Sequence, residues 1–228
     1  MTRALDEPAD TDDTPIWVAI PPGYFPLPVQ DAEASIERAE AVLTDIAEPG
    51  QRPLIGAVTG ALSALLSELG SAGGLFCGIG RHTSPVDGSV VTSSLVVSFQ
   101  AFEGTRNPRL VLKDLVEAKA EAGQHAQVDL VDVMDRPMLF VERTRQLPTP
   151  HFPGGPEVPE DATTSVFQLE AHVPSDDGGK LATIELSTPF EGHGPHFRGM
   201  VVQMAGSVSF EPPAVSPGDN GKIGQVLD

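Results

Sequence analysis

The stretch that decides the fold is VFQLEAHVPSDDGGKLATIELSTPFEGHGPHFRGMVVQMAGSVSF, residues 166–210. Apolar and polar side chains alternate along 167–173 and again along 182–187, which is the period of a strand with one buried face. The sequence SDDGG between them supplies residues that tolerate positive φ, so the chain can reverse there. We therefore predict an antiparallel hairpin, followed by a short helix from about Pro195 to Ala205 and a final strand over 206–210.

The apolar sides of this hairpin and of the helix after it are complementary. The residues expected to meet across the contact are Phe197, Met200, Val201 and Met204 from the helix, with Phe167, Leu169, Ile184 and Leu186 from the hairpin. The other hairpin face would carry Glu170, His172 and Glu185. One wet face is normal for an antiparallel sheet, so we expect these three side chains in solvent. Acid–base catalysis by two carboxylates and an imidazole is the alternative.

The rest of the chain alternates between helices and pairs of strands. The predicted helices cover 31–47, with Asp31 as the N-terminal cap, 53–69 and 108–122. The predicted strands cover 17–20, 75–82, 89–102, 128–133 and 138–144. Together these elements predict a single α+β domain over 15–211, in which helices cover a curved antiparallel sheet of about six strands.

The first two helices have apolar stripes that we expect to be buried. The stripe residues are Ile36, Ala39, Leu43 and Ile46 in the first helix, and Leu54, Val58, Leu62, Leu65 and Leu69 in the second. The second helix also has a side of small residues, Gly56, Gly60 and Ala64. Each glycine costs up to about 1 kcal/mol in a helix interior. Close packing in the core should compensate for this cost, and a seam between copies of the chain is the alternative.

Composition and charge restrict the possible partners. The chain has 32 acidic and 14 basic residues and a formal net charge of -18, which argues against nucleic acid and against an anionic membrane surface. The apolar window 54–66 is shorter than the about 20 residues of a membrane span, so we expect no membrane insertion. No secretory signal opens the chain, so we expect a cytoplasmic protein. Acidic and Pro/Gly-rich compositions predict disordered tails at 1–14 and 212–228.

Cys77 is the only cysteine, which excludes an intrachain disulfide and a cysteine cluster for zinc. It lies in an apolar strand, where Ile79 shares its face and His82 points to the opposite face. We expect Cys77 to be a small core residue rather than a nucleophile. The nearby Gly78 and Gly80 resemble a phosphate-binding loop only superficially, because a strand follows them instead of a helix. A bulge or close backbone contact is the expected reason for these glycines.

The histidines cluster only in Gly192–His196, where His193 and His196 are three residues apart. Gly194 and Pro195 prevent the regular helix that would bring both imidazoles to one face for zinc. We expect a loop that enters the helix after it, with a weak metal site as the alternative. No nucleophile elbow, zinc-protease helix or phosphate loop is present. We therefore expect no cofactor and no metal.

The order of elements after residue 124 resembles the Mog1/PsbP-like fold. The residues that carry the likeness are 181–189, 197–204 and 206–210, together with the proline-bounded Ile20–Gly23 near the start. The resemblance implies a curved antiparallel sheet covered by helices, and a last segment of strand, short helix and strand. It also implies a non-enzymatic class whose members bind proteins or act as assembly and accessory factors. It carries over no functional residues.

These observations favour an accessory or adaptor protein that binds another protein or itself. A small-molecule carrier with an apolar pocket between helices and sheet is one alternative. A small enzyme that uses Cys77 or the loop of His193 and His196 is the other. The proline-rich segment 147–161 is a candidate contact element or a plain connection along the domain surface. If it makes a contact, we expect Pro150, Phe152 and Pro153 to carry it, because interface energy concentrates in buried aromatic side chains.

Overall fold

The computed structural model of the protein describes residues 16–121, 123, 126–149, 157–159 and 161–212. The strands are β1 (Tyr24–Leu27), β2 (Gly74–Thr83), β3 (Val90–Ala101), β4 (Gln127–Val133), β5 (Arg136–Pro148), β6 (Thr163–Pro174) and β7 (Lys180–Thr188). The α-helices are α1 (Ala32–Ile46), α2 (Arg52–Ser71), α3 (Pro108–Glu121) and α4 (Arg198–Ser207), and a 3-10 helix covers Glu191–Phe197. The predicted tail 1–14, nearly all of the tail 212–228, and Pro150, Phe152 and Pro153 lie outside the described residues.

The strands form one antiparallel sheet in the order β1-β2-β3-β7-β6-β5-β4, which confirms the α+β class. Six of the eight individually predicted strands are present, and β1, an unpredicted strand around Pro26, brings the sheet to seven rather than about six. Proline is tolerated there because β1 is an edge strand. The strands predicted over 17–20 and 206–210 are wrong: Trp17 and Ser209 form only an isolated bridge with each other.

The main core lies between one face of the sheet and α4, as the sequence predicts. Phe197, Val201 and Met204 join the same buried cluster as Leu169 and Ile184, and Met200 packs against that cluster. The 3-10 helix that leads into α4 fits tightly, because a Cβ at position 194 would overlap the Phe167 ring. Only glycine is therefore accommodated at this turn.

The other face of the sheet carries the remaining three helices at two separate places. Ala32 of α1 and Leu66 of α2 pack with Cys77 at the β1–β2 edge. Leu112 of α3 packs with Leu139 at the β5 side. All four helices therefore pack against the sheet. The strip of sheet between the α1–α2 contact and the α3 contact is part of neither buried cluster.

The hairpin formed by α1 and α2 meets the sheet only at its proximal end, near residues 32–36 and 62–69. Of residues 37–61, only Thr59 is buried, and its hydroxyl donates to Glu40 Oε2 of α1 at 2.7 Å. The expectation of fully buried stripes is therefore wrong for Ala39, Leu43 and Ile46 of α1 and for Val58 and Leu65 of α2, which are exposed. The apolar stripes of both helices continue beyond the residues that contact the sheet.

The small-residue side of α2 is also bare, which contradicts the expected packing in the core. A Cβ at Gly60 would meet nothing within 4 Å, and one at Gly56 would meet only Glu40 Oε1, at 3.7 Å. Helix α2 runs for 20 residues with a hydropathy of 1.4, so by length and composition alone it could cross a membrane. The apolar window 54–66, from which we predicted no membrane insertion, is shorter than this helix. A mostly buried core helix of a soluble protein can meet the same criterion, but only 11% of the apolar window of α2 is buried.

Two local features show how the chain turns between elements. Met134 and Asp135, between β4 and β5, both have positive φ, 52° and 63°, as a two-residue hairpin turn requires. Asp31 precedes α1 with a φ of 55° and makes no side-chain cap hydrogen bond, so its predicted role as a capping side chain is wrong. Asn107 Oδ1 does accept the backbone N–H of Arg109 at the start of α3, at 2.9 Å.

We predict opposite outcomes for two isoleucines of α1 that the sequence pattern treats alike. Ile36 is 6% exposed, so Ile36→Asp should destabilise the protein by about 3 kcal/mol, because it buries an unpaired charge. Ile46 is 75% exposed, so Ile46→Asp should change stability by less than about 0.5 kcal/mol. Urea unfolding of both variants measures the difference. Equal losses of unfolding free energy in the two variants would contradict the exposure of the distal half of the hairpin.

Candidate functional site

The polar residues predicted on the open face of the last hairpin form a buried ionic network. Glu170 accepts hydrogen bonds from Lys119 Nζ at 2.5 Å, Arg143 Nη2 at 2.6 Å and His172 Nε2 at 3.0 Å. His172 Nδ1 lies 3.0 Å from Thr183 Oγ1. Glu170 and His172 are each 4% exposed, so the expectation that they are solvated is wrong. Lys119, from α3, helps to close this part of the face.

The electrostatics of this network favour a structural role. Burial alone would raise the pKa of Glu170, but the hydrogen bonds from His172 and Lys119, the charge of Lys119 and the charge that His172 carries when it is protonated lower it to about 2. Burial lowers the pKa of His172, and the nearby Glu170 only partly opposes this. The carboxylate is thus held ionised by fixed partners, and the imidazole is held neutral. A carboxylate so strongly stabilised is a poor base at neutral pH.

The third predicted polar residue, Glu185, belongs to a connected set of side chains on the same face. Gln168 links the two parts, because its Oε1 accepts from Arg143 Nε at 2.7 Å and its Nε2 donates to Glu185. Every buried side-chain nitrogen or oxygen among the described residues has a hydrogen-bond partner. The network therefore presents no unpaired buried group to a ligand.

An open recess of about 540 Å³ borders this network on the strip of sheet that the helices leave uncovered. Gln168 and Glu185 form its polar floor, and Ile79, Leu147 and Val166 add apolar surface. The recess is of the size that small-molecule sites have, although such sites usually enclose most of the ligand. It is the nearest counterpart to the pocket expected of a carrier.

Cys77 is a core residue, as the sequence predicts. It is 4% exposed and packs with Ile36 of α1 and Leu66 of α2. Burial raises the pKa of its thiol, which favours the unreactive protonated form. His82 points to the opposite sheet face, where its Nε2 lies 3.1 Å from Ser93 Oγ. The structure therefore places the His82 imidazole away from the Cys77 thiol.

The glycines after Cys77 lie inside β2 and leave room for aromatic rings. A Cβ at Gly78 would be 2.8 Å from the Phe76 ring, and one at Gly80 would overlap His82 and approach Tyr24 at 2.7 Å. The close neighbours are mainly side chains and not the backbone that the prediction named; Phe25 O, 3.3 Å from a Cβ at Gly78, is the backbone atom among them. These glycines are part of a strand, so they form no phosphate-binding loop.

The histidine loop forms the 3-10 helix, and its two histidines have different surroundings. His193 Nδ1 lies 2.8 Å from Ser84 Oγ, and its Nε2 lies 3.9 Å from Asp87 Oδ2, whereas His196 is exposed. Among the described residues, no group of three or more His, Cys, Asp or Glu side chains could hold a metal ion.

Ser84, His193 and Asp87 are the types of residue found in a hydrolytic triad, and sequence reasoning missed this grouping. Ser84 and Asp87 lie in the β2–β3 turn, far from His193 in the chain, and that turn carries no catalytic motif. The geometry of these three residues is that of a structural contact and not of a catalytic triad. Ser84 is 5% exposed and its Oγ also accepts Val86 N–H at 3.1 Å, while Asp87 is beyond hydrogen-bond range of the imidazole.

Three exposed apolar residues of the distal α1–α2 hairpin, together with the exposed Leu65 beside the sheet contact, form an uncovered apolar surface. We call its four residues the bare stripe: they are Leu43, Ile46, Val58 and Leu65, with exposures of 43%, 75%, 42% and 50%. Leu43 lies two turns after the buried Ile36, and Val58 one turn before Leu62, so helix periodicity puts them on the side that meets the sheet proximally. Apolar surface of this kind is a candidate interaction site.

The hairpin is strongly acidic around this surface. Residues 31–71 contain seven acidic residues and two basic ones, Arg38 and Arg52. Most of the acidic residues belong to α1, which carries Glu33, Glu37, Glu40 and Asp45. The bare stripe is thus apolar with an acidic border on its α1 side.

No protein-family model matches this chain, and no curated protein matches its sequence. The Mog1/PsbP-like resemblance therefore stays a prediction, and the candidate sites are interpreted from their own geometry.

We predict that Glu170→Gln destabilises the protein by about 3 kcal/mol at pH 7, because it leaves Arg143 and Lys119 buried without their carboxylate. The pKa of Glu170 is depressed in the folded protein, so its contribution is complete above the ordinary value of 4.5 and is lost as the pH falls toward 2. The gap between wild type and variant should therefore shrink by roughly 2 kcal/mol on acidification from about pH 5 to about pH 2.

Urea unfolding at a series of pH values measures this gap. The exposed Glu117, which pairs with Lys113 along α3, provides the control, and Glu117→Gln should cost less than about 0.5 kcal/mol. A gap for Glu170→Gln that is constant with pH would contradict the assigned ion pairs.

Proposed function

We propose that the protein is a non-enzymatic adaptor that binds another protein through the bare stripe of the α1–α2 hairpin. The observation that carries this proposal is the exposure of Leu43, Ile46, Val58 and Leu65, in helices whose proximal ends are firmly packed. An amphipathic stripe that extends beyond its own core has uncovered apolar area available for a partner. Burial of such area stabilises a complex by about 25 cal/mol per Å² before association costs.

The acidic border of the bare stripe defines the chemistry of the partner. With seven acidic and two basic residues in 31–71, the hairpin favours a partner whose apolar ridge is flanked by Lys and Arg. An amphipathic basic helix has this character, and a helix that lays its apolar face on a hydrophobic surface is a common mode of recognition. The same charge disfavours nucleic acid as the partner.

The candidate chemical groups support a binding role rather than a reaction. The Cys77 thiol is buried, Glu170 is held by two cations, and Ser84 is engaged by the turn that contains it. The predicted curved, Mog1/PsbP-like arrangement of the sheet agrees with this, because that resemblance implies accessory proteins. Cytoplasmic location and the absence of a cofactor are parts of the same proposal.

A small-molecule carrier is the second candidate, and the recess beside Gln168 and Glu185 favours it. Ile79 and Leu147 would contact the apolar part of a ligand, and the polar floor would orient it. Native mass spectrometry of the gently purified protein tests this candidate. A bound molecule that is lost in Ile79→Asp but retained in Ile46→Asp supports it, and an unliganded mass contradicts it.

The adaptor proposal predicts a difference between two exposed apolar positions on separate helices. A photoreactive amino acid at Ile46 should crosslink a partner in an extract of the source cells, whereas the same group at Leu110 should not. Leu110 is the control because it lies on α3 and is 52% exposed, so it is similarly accessible. Mass spectrometry of the crosslinked peptides identifies the partner segment, which should be apolar with Lys and Arg on its flanks.

The identified segment, synthesised as a peptide, should then bind the purified protein in calorimetry. Ile46→Asp should weaken binding by about tenfold or more, because a buried apolar anchor contributes more than about 1.4 kcal/mol. Leu110→Asp should leave the affinity unchanged. Equal crosslinking at both positions would contradict the proposal, as would capture of membrane lipid by Ile46 in place of protein.

A further inference from the structure

The recess on the uncovered strip of sheet is separate from the bare stripe. We call it the sheet recess: it has a volume of about 540 Å³ and a polar floor of Gln168 and Glu185. Its described lining residues lie in strands or directly after β7, so the side chains of α1 and α2 do not contribute to it. In the register of the sheet, one row of neighbouring side chains crosses the floor: Ile79, Ser94, Ser187 and Gln168. A ligand there contacts the sheet and not the α1–α2 hairpin.

The sheet face around this recess is basic, although the whole chain carries a net charge of -18. The register of β2, β3, β5, β6 and β7 places three arginines and two acidic residues on this face: Arg81, Arg143, Arg145, Glu170 and Glu185. Lys119 of α3 binds Glu170 and adds a further positive charge. Positive charges therefore outnumber negative ones here by four to two, which favours an anionic ligand.

Two of these arginines lie at one end of the sheet recess. Arg145 lines the recess and is opposite Val166 on β6, whereas Arg81 stands at the other side, opposite Thr92 on β3. Both arginines are exposed, and neither makes an ion pair with a described residue. An anionic group at this end therefore meets guanidinium groups that no described carboxylate binds.

Glu185 marks the opposite end of the sheet recess. It pairs with Glu170, which is four residues along β6 from Val166, so about 13 Å of strand separates the two ends. Glu185 accepts a hydrogen bond from Gln168 and makes no ion pair with a described residue. The recess is thus polarised along its length, with a cationic end at Arg145 and an anionic end at Glu185.

We propose that the sheet recess binds an amphipathic organic acid, a molecule with an apolar body and one anionic group that lies at the Arg145 end. Ile79, Leu147 and Val166 contact the apolar body, as in most small-molecule sites, where a few polar groups orient a largely apolar ligand. A guanidinium group can hold a carboxylate with two parallel hydrogen bonds. Glu185 repels a second anionic group at the far end. This inference rests on the carrier, the second candidate function, and does not involve the bare stripe.

Calorimetric titration with nonanoate and with octylammonium tests the sign of the ligand charge. The two probes share an octyl chain and carry opposite charges. In a chain with a net charge of -18, general attraction favours octylammonium, so a preference for nonanoate requires a local basic site. We expect one nonanoate per chain, bound at least about tenfold more tightly than octylammonium. Equal affinities, or a preference for octylammonium, would overturn the proposal.

Arg145→Gln should weaken nonanoate binding by about tenfold or more and abolish the preference over octylammonium, because the carboxylate loses its guanidinium partner. The matched control is Arg52→Gln, at an exposed arginine of α2 that also makes no ion pair with a described residue. Both variants change the net charge equally, and Arg52→Gln should keep the wild-type affinity within about twofold. Equal effects of the two substitutions would show general electrostatics and overturn the assigned site.

Azelate, which is nonanoate with a second carboxylate at the far end of the chain, tests the orientation. It should bind the wild-type protein at least about tenfold more weakly than nonanoate, because its second carboxylate faces Glu185. Glu185→Gln keeps the size of the side chain and removes its charge, so it should narrow this gap by about threefold or more. A gap that is the same in Glu185→Gln and in the wild type would overturn the orientation.

The same variants separate this inference from the two candidate functions. Ile46→Asp should bind nonanoate as the wild type does, and Arg145→Gln should keep the crosslink that a photoreactive group at Ile46 forms, so the adaptor proposal stands or falls independently. Saturable binding of both probes with equal strength would leave the carrier candidate in place and overturn its assignment to an organic acid. A lack of saturable binding of either probe would overturn both the carrier candidate and this inference.

Discussion

The contact of Ile36 and Leu66 with Cys77 determines how much of the α1–α2 hairpin the domain can cover. The contact lies at the β1–β2 edge of the sheet, and the helices continue for several turns beyond it. Their amphipathic stripes do not end where the contact ends. The exposure of the bare stripe follows from this mismatch in length between the helices and their support.

The last hairpin and α4 were predictable because their signals are local and agree with each other. Alternation in β6 and β7, the SDDGG turn and the helical spacing of Val201 and Met204 each specify the same packed face. Strand β1 was not predictable, because Pro26 argues against a strand unless the strand lies at an edge, and edge position depends on the whole topology. The uncovered stripes could not be predicted either. Periodicity shows which side of a helix is apolar, but not how far the neighbouring sheet extends along it.

The polar face of β6 and β7 illustrates the same limit for chemistry. Alternation correctly placed Glu170, His172 and Glu185 on one face, and the usual preference of such faces for water suggested solvation. Helix α3 closes that face with Lys119, which lies 51 residues before Glu170 in the chain. Because both charges lose water, the carboxylate requires Lys119 and Arg143 as close partners, and the group becomes a fixed ion cluster. Its similarity to an acid–base site lies in composition alone.

The charge distribution restricts which partner the hairpin can bind. In our proposal the bare stripe, bordered by acidic residues of α1, repels another copy of this chain and attracts a basic partner. The glycine side of α2 offers a second copy no neutral alternative. Asp31 and Glu33 line the recess beside Gly60 and Ala64, and Glu37, Glu40 and Asp45 line the recess beside Arg52. In a chain with a net charge of -18, both uncovered sides of the hairpin therefore favour a basic partner over self-association.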